Sequence, residues 1–219
     1  MAAAIIDGKA LATKVKDGVR QEAAQLPRKP GLAVVLVGDD PASRVYVTSK
    51  RKDCEECGFY SEEYALPAQT TQRQLLELVA ELNGRQDIDG ILVQLPLPRG
   101  LDEQAVLLAI HPDKDVDCFH PFNVGRLTIG DPVFQPCTPG GVMEMLKEYR
   151  IDPAGKRCVV LGRSNIVGKP MALLLLHAHG TVTVCHSKTP DLAAIAASAD
   201  ILVSAVGRTG LVTADMVKE

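Results

Sequence analysis

The feature that most restricts this chain is a set of short, unbroken apolar runs, each fenced by glycine or proline. GLAVVLVG (31–38) is the first, and IDGILVQLPLP (88–98), CVVLG (158–162) and ILVSAVG (201–207) repeat the design. A strand that is apolar on both faces needs cover on both, so it belongs inside a parallel sheet. Helical spacing fills the gaps. Residues 9–25 carry Leu11, Val15 and Val19, and residues 71–83 carry Leu75, Leu76, Val79 and Leu82 ahead of Gly84. A short strand is expected over 59–66 and another helix over 101–110. Strands alternating with helices predict α/β domains with parallel sheets, whose ligands sit at the carboxyl ends of the strands.

After the first run comes the turn GDDPAS (38–43), then VYVTSKRKDCEECG (45–58). Ser43 is a suitable N-cap and Gly58 a left-handed stop, which predicts one helix between them. On it Tyr46, Lys50, Asp53/Cys54 and Cys57 fall three or four apart and share a face. A lysine there either snorkels from the surface or looks inward, where burial disfavours a charged amine. Gln94 closes the third strand, and the 38–43 turn also follows a strand end. Lys50 and Gln94 are therefore expected at one mouth.

HPDKDVDCFHPFNVGRL (111–127) reads as irregular, with Asp113, Asp115 and Asp117 alternating. It resembles the start of a calcium loop, but Cys118 replaces the required glycine and Val124 the terminal glutamate, which rejects calcium. Cys118, His120 and Cys137 match none of the usual zinc spacings, so no metal is expected. In QPCTPGG (135–141), Thr138 is read as an N-cap with Pro139 at the first helical position, leading a helix over 142–149. The domain boundary is placed here, giving residues 1–138 and 139–219.

The second domain opens as strand, glycine turn and helix, the turn running from Gly162 to Gly168. Five residues separate these glycines and Pro170 stands where a P-loop has Ser or Thr, so this is not a P-loop; nor is it G-x-G-x-x-G. It still places glycines between a strand end and a helix N-terminus, as diphosphate binding requires. TVTVCHSKTP (181–190), DLAAIAASAD (191–200) and the 201–207 run complete a βαβαβ unit, half of a Rossmann-like, doubly wound nucleotide fold. No acidic residue lies between Pro153 and Pro190, whereas Lys156, Arg157, Arg163, Lys169 and Lys188 do. An acid-free strand end with Arg163 and Ser187-Lys188 nearby suits a ribose phosphate and favours NADP over NAD.

Composition removes other classes. Aromatic residues are 4% with no Trp, and the net charge is −3, so neither base stacking nor a basic footprint points to nucleic acid. The run MALLLL (171–176) is too short to span a bilayer, and MAAAIIDGKALA is neither a signal nor a transit peptide. Six cysteines without a secretory signal read as free thiols in a reducing compartment, which predicts a cytoplasmic protein.

Taken together, YVTSK (46–50), VQLPLP (93–98), DKDVD (113–117), NVGRL (123–127), PCTPGG (136–141), GRSNIVGKP (162–170) and CHSKT (185–189) resemble the methylenetetrahydrofolate dehydrogenase/cyclohydrolase family across essentially the whole chain. The resemblance implies a parallel-sheet catalytic domain followed by a Rossmann-like NADP domain, acting as a homodimer in one-carbon metabolism. It implies two reactions at one site: hydride leaves methylenetetrahydrofolate for NADP⁺, then water opens the methenyl cation to 10-formyltetrahydrofolate. Lys50 would be the catalytic proton handler, Tyr46 would stack on the folate rings and Gln94 would hydrogen-bond the lysine. Val93 and Leu95 would line the folate site, while Asp117 would grip the amide-like edge of the pterin. Gly162, Arg163 and Ser164 would hold the cofactor phosphates, with Ser187 beside the ribose phosphate. Two departures stand out. Cys118 occupies a position where the pattern has Gly, and a later strand and glycine-rich motif are not found before Glu219, which predicts an incomplete cofactor domain ending within a helix. Two other readings accompany this one: another two-domain NADP-dependent dehydrogenase, such as a shikimate dehydrogenase, and a folate-binding remnant without turnover.

Overall fold

The computed structural model describes residues 3–218. The chain divides into two compact units, one spanning Asp7–Asn123, the other taking in the chain from Val124 onward with the short stretch before Asp7.

The first unit runs α1 (Gly8–Ala23), β1 (Gly31–Val37), α2 (Pro41–Cys57), β2 (Tyr60–Leu66), α3 (Gln72–Gly84), β3 (Gly90–Val93) and α4 (Glu103–Ala109). Its sheet has the order β2-β1-β3, all parallel. β1 is buried nearly throughout because both faces are covered. Ala33, Val35 and Val37 pack with Leu75, Val79, Leu82, Val106 and Ile110, while Val34 and Leu36 pack with Val47 and Leu92. The alternation along one strand thus feeds two cores.

The second unit contains α6 (Cys137–Glu148), β4 (Arg157–Leu161), α7 (Gly168–His177), β5 (Thr181–Cys185), α8 (Leu192–Ala197) and β6 (Ile201–Ser204), following α5 (Pro121–Ile129). Its parallel sheet has the order β5-β4-β6. Val159, Leu161 and Cys185 bury against Ala196, Ala199 and Met216 on one face. In each sheet the first strand is central, with the second on one side and the third on the other. The sense in which strands are added therefore reverses between β1 and β3 and again between β4 and β6, while all strands stay parallel, and a crevice at the carboxyl ends of such strands is where α/β sheets take ligands.

Several local expectations are corrected. The N-cap of α2 is Asp40, whose carboxylate accepts the Ser43 N–H at 2.8 Å, with Pro41 at the first position. Ser43 is buried one turn inside. Asp40 wins because proline supplies a preset first turn, which moves the cap one residue before it. Likewise α6 starts at Cys137 behind Pro136, with no side-chain cap from Thr138. The stretch read as irregular contains α5, which lacked a clear apolar period. Near the end of the chain, Ala214–Met216 form a single 3-10 turn with Val217 extended, where a helix was expected. By contrast Gly58 does close α2 at φ 78°, and Thr71 with Gln74 makes a reciprocal capping box on α3.

Candidate active site

The first cluster is assembled by elements that leave the carboxyl ends of β1 and β3. Beyond β3 the ladder continues for one bond, Gln94 N–H to the Val35 carbonyl at 2.9 Å, which fixes the backbone under the Gln94 side chain. Gln94 Nε2 donates to the Leu95 carbonyl at 2.7 Å. That carbonyl can only accept, so the amide is oriented with Oε1 outward. Lys50 Nζ donates to this Oε1 at 3.2 Å. Lys50 lies on the line Ser43, Val47, Lys50, Cys54, Cys57 along α2; the other four members are buried, and Lys50 itself is half-buried. The lysine therefore looks inward, and its neighbours explain why.

Asp117 completes the cluster. It is half-buried, and its carboxyl is pushed up to about 6. Loss of water is the main cause; the Lys50 charge pulls the other way, and Asp115 adds a further upward push. Lys50 and Asp117 are thus electrostatic neighbours at the same mouth. Val93 ends β3 buried, and Leu95 is half-buried. Tyr46 stands one turn before Lys50 and is 62% exposed, so the helix face shared in the sequence pattern is split: the thiols go into the core and the ring stays in solvent.

Cys118 has φ 58°, in the left-handed region where a glycine is the unstrained residue. Its side chain turns into the protein at 1% exposure, and burial with the Asp115 charge pushes its thiol up to about 11. The sulfur fills the interior behind the turn, so its bulk goes into the core. One residue the sequence pattern did not single out for a role is Asp115, buried at 2%.

The second cluster belongs to the other unit. Gly162 follows β4 with φ 115°, and a Cβ on it would lie 2.5 Å from the Ala205 carbonyl oxygen beyond β6. A Cβ on Gly168 would collide with the Gly162 carbonyl. Only glycines permit this approach. Ser164 Oγ accepts the Val167 and Gly168 N–H groups, each at 3.2 Å, at the start of α7. Its own hydroxyl proton is left to donate outward. Arg163 and Ser164 are exposed at the strand end. Ser187 lies exposed in a tight turn after β5, held by His186 N–H to Thr189 Oγ1 at 2.9 Å. Gly162 N–H to the Cys185 carbonyl, 2.8 Å, ties the two loops together. A cradle that a Cβ would fill, a helix N-terminus and an outward hydroxyl fit a dinucleotide diphosphate.

A lysine–glutamine–aspartate cluster at one sheet's switch point, and a glycine cradle at another's, define a two-domain nucleotide-dependent α/β enzyme. Two family models match: tetrahydrofolate dehydrogenase/cyclohydrolase catalytic domain over residues 6–117, and the NAD(P)-binding domain of the same family over residues 136–219. The chain belongs to the tetrahydrofolate dehydrogenase/cyclohydrolase family. Similar curated proteins include the bifunctional protein FolD of Magnetococcus marinus, 58% identical over 98% of this chain and 77% of that protein. The same-named protein of Geotalea daltonii is 56% identical over 99% and 79% respectively. Among solved structures, the bifunctional FolD enzyme of Campylobacter jejuni superposes with a TM-score of 0.97 at 49% identity, covering 100% of this chain and 79% of that one. The Trypanosoma brucei enzyme, solved with NADP and an inhibitor, gives 0.95 at 43% identity over 100% and 77%.

Proposed function

We propose that this chain oxidises methylenetetrahydrofolate to methenyltetrahydrofolate with NADP⁺ and then hydrolyses the product to 10-formyltetrahydrofolate. The observation that carries the reading is the Lys50–Gln94 hydrogen bond at the strand ends, with the raised Asp117 carboxyl beside it. The folate-binding domain is assigned to residues 1–138 and the NADP domain to residues 139–219.

Tyr46 offers its exposed ring to the folate, between Val93–Leu95 and the solvent. Asp117 accepts the N–H donors of the pterin's amide-like edge, a paired contact that discriminates strongly against molecules lacking those donors. Lys50, held against Gln94, is placed to handle the proton of the water that attacks the methenyl carbon. Gln94 holds the amine in line for that transfer, with its carbonyl oxygen fixed toward Nζ. Gly162, Arg163 and Ser164 would hold the cofactor diphosphate, with Arg163 and Ser187 nearest a ribose phosphate. NADP⁺ supplies the hydride acceptor when bound.

The protein is read as a cytoplasmic homodimer that takes no nucleic acid; no helix among the described residues is long and apolar enough to cross a membrane. The test is absorbance of methenyltetrahydrofolate formed from methylenetetrahydrofolate with NADP⁺ or NAD⁺. Turnover with NADP⁺ well above that with NAD⁺ supports the assignment. Folate binding without hydride transfer would favour the remnant reading, and NADPH binding without folate turnover a dehydrogenase of another substrate.

A further inference from the structure

The turn that carries Asp117 is built around a second carboxylate. Asp115 is 2% exposed and Asn123, its neighbour, 1%. Asp115 Oδ1 accepts the Phe119 N–H at 3.2 Å, while Oδ2 accepts the His120 N–H at 2.8 Å and Asn123 Nδ2 at 2.9 Å. The same Asn123 nitrogen donates to the Pro112 carbonyl at 2.8 Å, and its Oδ1 is buried without a hydrogen bond among the described residues. Asn123 is therefore oriented by what it gives to the turn. Three neutral donors around a buried carboxylate are what keep such a group tolerable without a cation.

Asp115 is also tied to the sheet. Its backbone bridges Ile91 in parallel beside β3. The next residue, Val116, lies against Gly90, where a Cβ would come within 2.5 Å of Val116 Cγ1. One anchor thus joins the segment to β3, and the other joins it to residues 119–123 through the Asp115 side chain. Asp117 projects from between them. Its place beside Lys50 follows from both.

We propose that Asp115, clamped by Asn123, is the positioning residue of this site: it presents the Asp117 carboxyl to the substrate without touching substrate itself. The proposal rests on the folate reading above. Two charged groups face Asp117, Lys50 from α2 and Asp115 from its own segment, and their effects are opposed. Removing the Asp115 charge therefore moves the titration of Asp117 to lower pH, a change that loosening of a turn alone does not produce.

The test uses the full chain as Asp115→Asn, with the Asp117 carboxyl followed by carbon NMR titration and binding of tetrahydrofolate and NADP⁺ measured at pH 8. Expected are an Asp117 titration displaced to lower pH, tetrahydrofolate affinity down roughly ten-fold, and NADP⁺ affinity within about two-fold. An unmoved Asp117 titration, or folate affinity unchanged, overturns the proposal. Should Asp115→Asn fail to fold, Asn123→Ala keeps the charge and removes the clamp; it is expected to weaken tetrahydrofolate and spare NADP⁺, and equal retention of both overturns the proposal. Wild-type protein that does not bind tetrahydrofolate counts against the folate reading alone, because the Asp117 titration in the ligand-free protein still decides whether Asp115 governs it.

Discussion

Replacing Asp117 with Asn should make the protein more stable while disabling it. The carboxyl titrates near 6 in the folded chain against an ordinary 3.8, so folding holds its proton too tightly. The sign follows from linkage: between those values the folded state binds more protons than the unfolded one, and stability falls as pH rises. The penalty is absent below the unfolded value and complete above about 6. Each factor of ten in proton affinity is worth about 1.4 kcal/mol, which caps the effect at about 3 kcal/mol. Asp117 is only half-buried, so water at the mouth reduces the gain to about 1–2 kcal/mol. Urea denaturation of both proteins at pH 8 and pH 4 reads this directly: the variant gains stability at pH 8, and the gain disappears at pH 4. Folate affinity should fall at the same time, because an amide cannot accept both donors of the pterin edge. A variant less stable than wild type at pH 8, or equally stabilised at both pH values, would refute the reasoning.

Lys50→Met should abolish hydrolysis of methenyltetrahydrofolate and leave folate affinity largely intact, as measured by loss of methenyl absorbance and by equilibrium binding. Arg163→Ala should weaken NADP⁺ by roughly ten-fold more than NAD⁺, the scale of one lost charge-assisted hydrogen bond; comparing the two dissociation constants checks it, and equal losses would argue against phosphate recognition. Gly168→Ala drives a methyl group into the Gly162 carbonyl, so it should lower stability by about 1–3 kcal/mol and weaken NADP⁺, read by thermal denaturation with and without nucleotide.

Periodicity carried most of the architecture. The runs at 31–38 and 158–162 had nothing polar on either face, and both became central strands. Lys50 and Gln94 could be paired because each follows a parallel strand on the same side of one sheet, a topological argument that needs no side-chain detail. What stayed hidden has physical reasons. Asp40 was masked as cap by Pro41, since a proline at the first helical position puts the cap directly before it, three residues earlier than Ser43 suggests. Helix α5 holds Gly125 and only a partial apolar stripe, so its existence depends on packing. Asp115 looked like any member of an alternating acidic run; its burial is set by donors four, five and eight residues away, which spacing alone does not announce. Cys118 was visible as an oddity, but the direction of its side chain was not.

The loop between Gly162 and Gly168 carries its own internal fastening: Ser164 closes onto α7, the Lys169 N–H reaches the Ser164 carbonyl at 3.0 Å, and Lys169 Nζ meets Asn165 Oδ1 at 2.7 Å. The proposed nucleotide would meet this loop already ordered, because the fastening of that segment has happened on folding. Association should therefore be governed by diffusional encounter, without a slow isomerisation after contact.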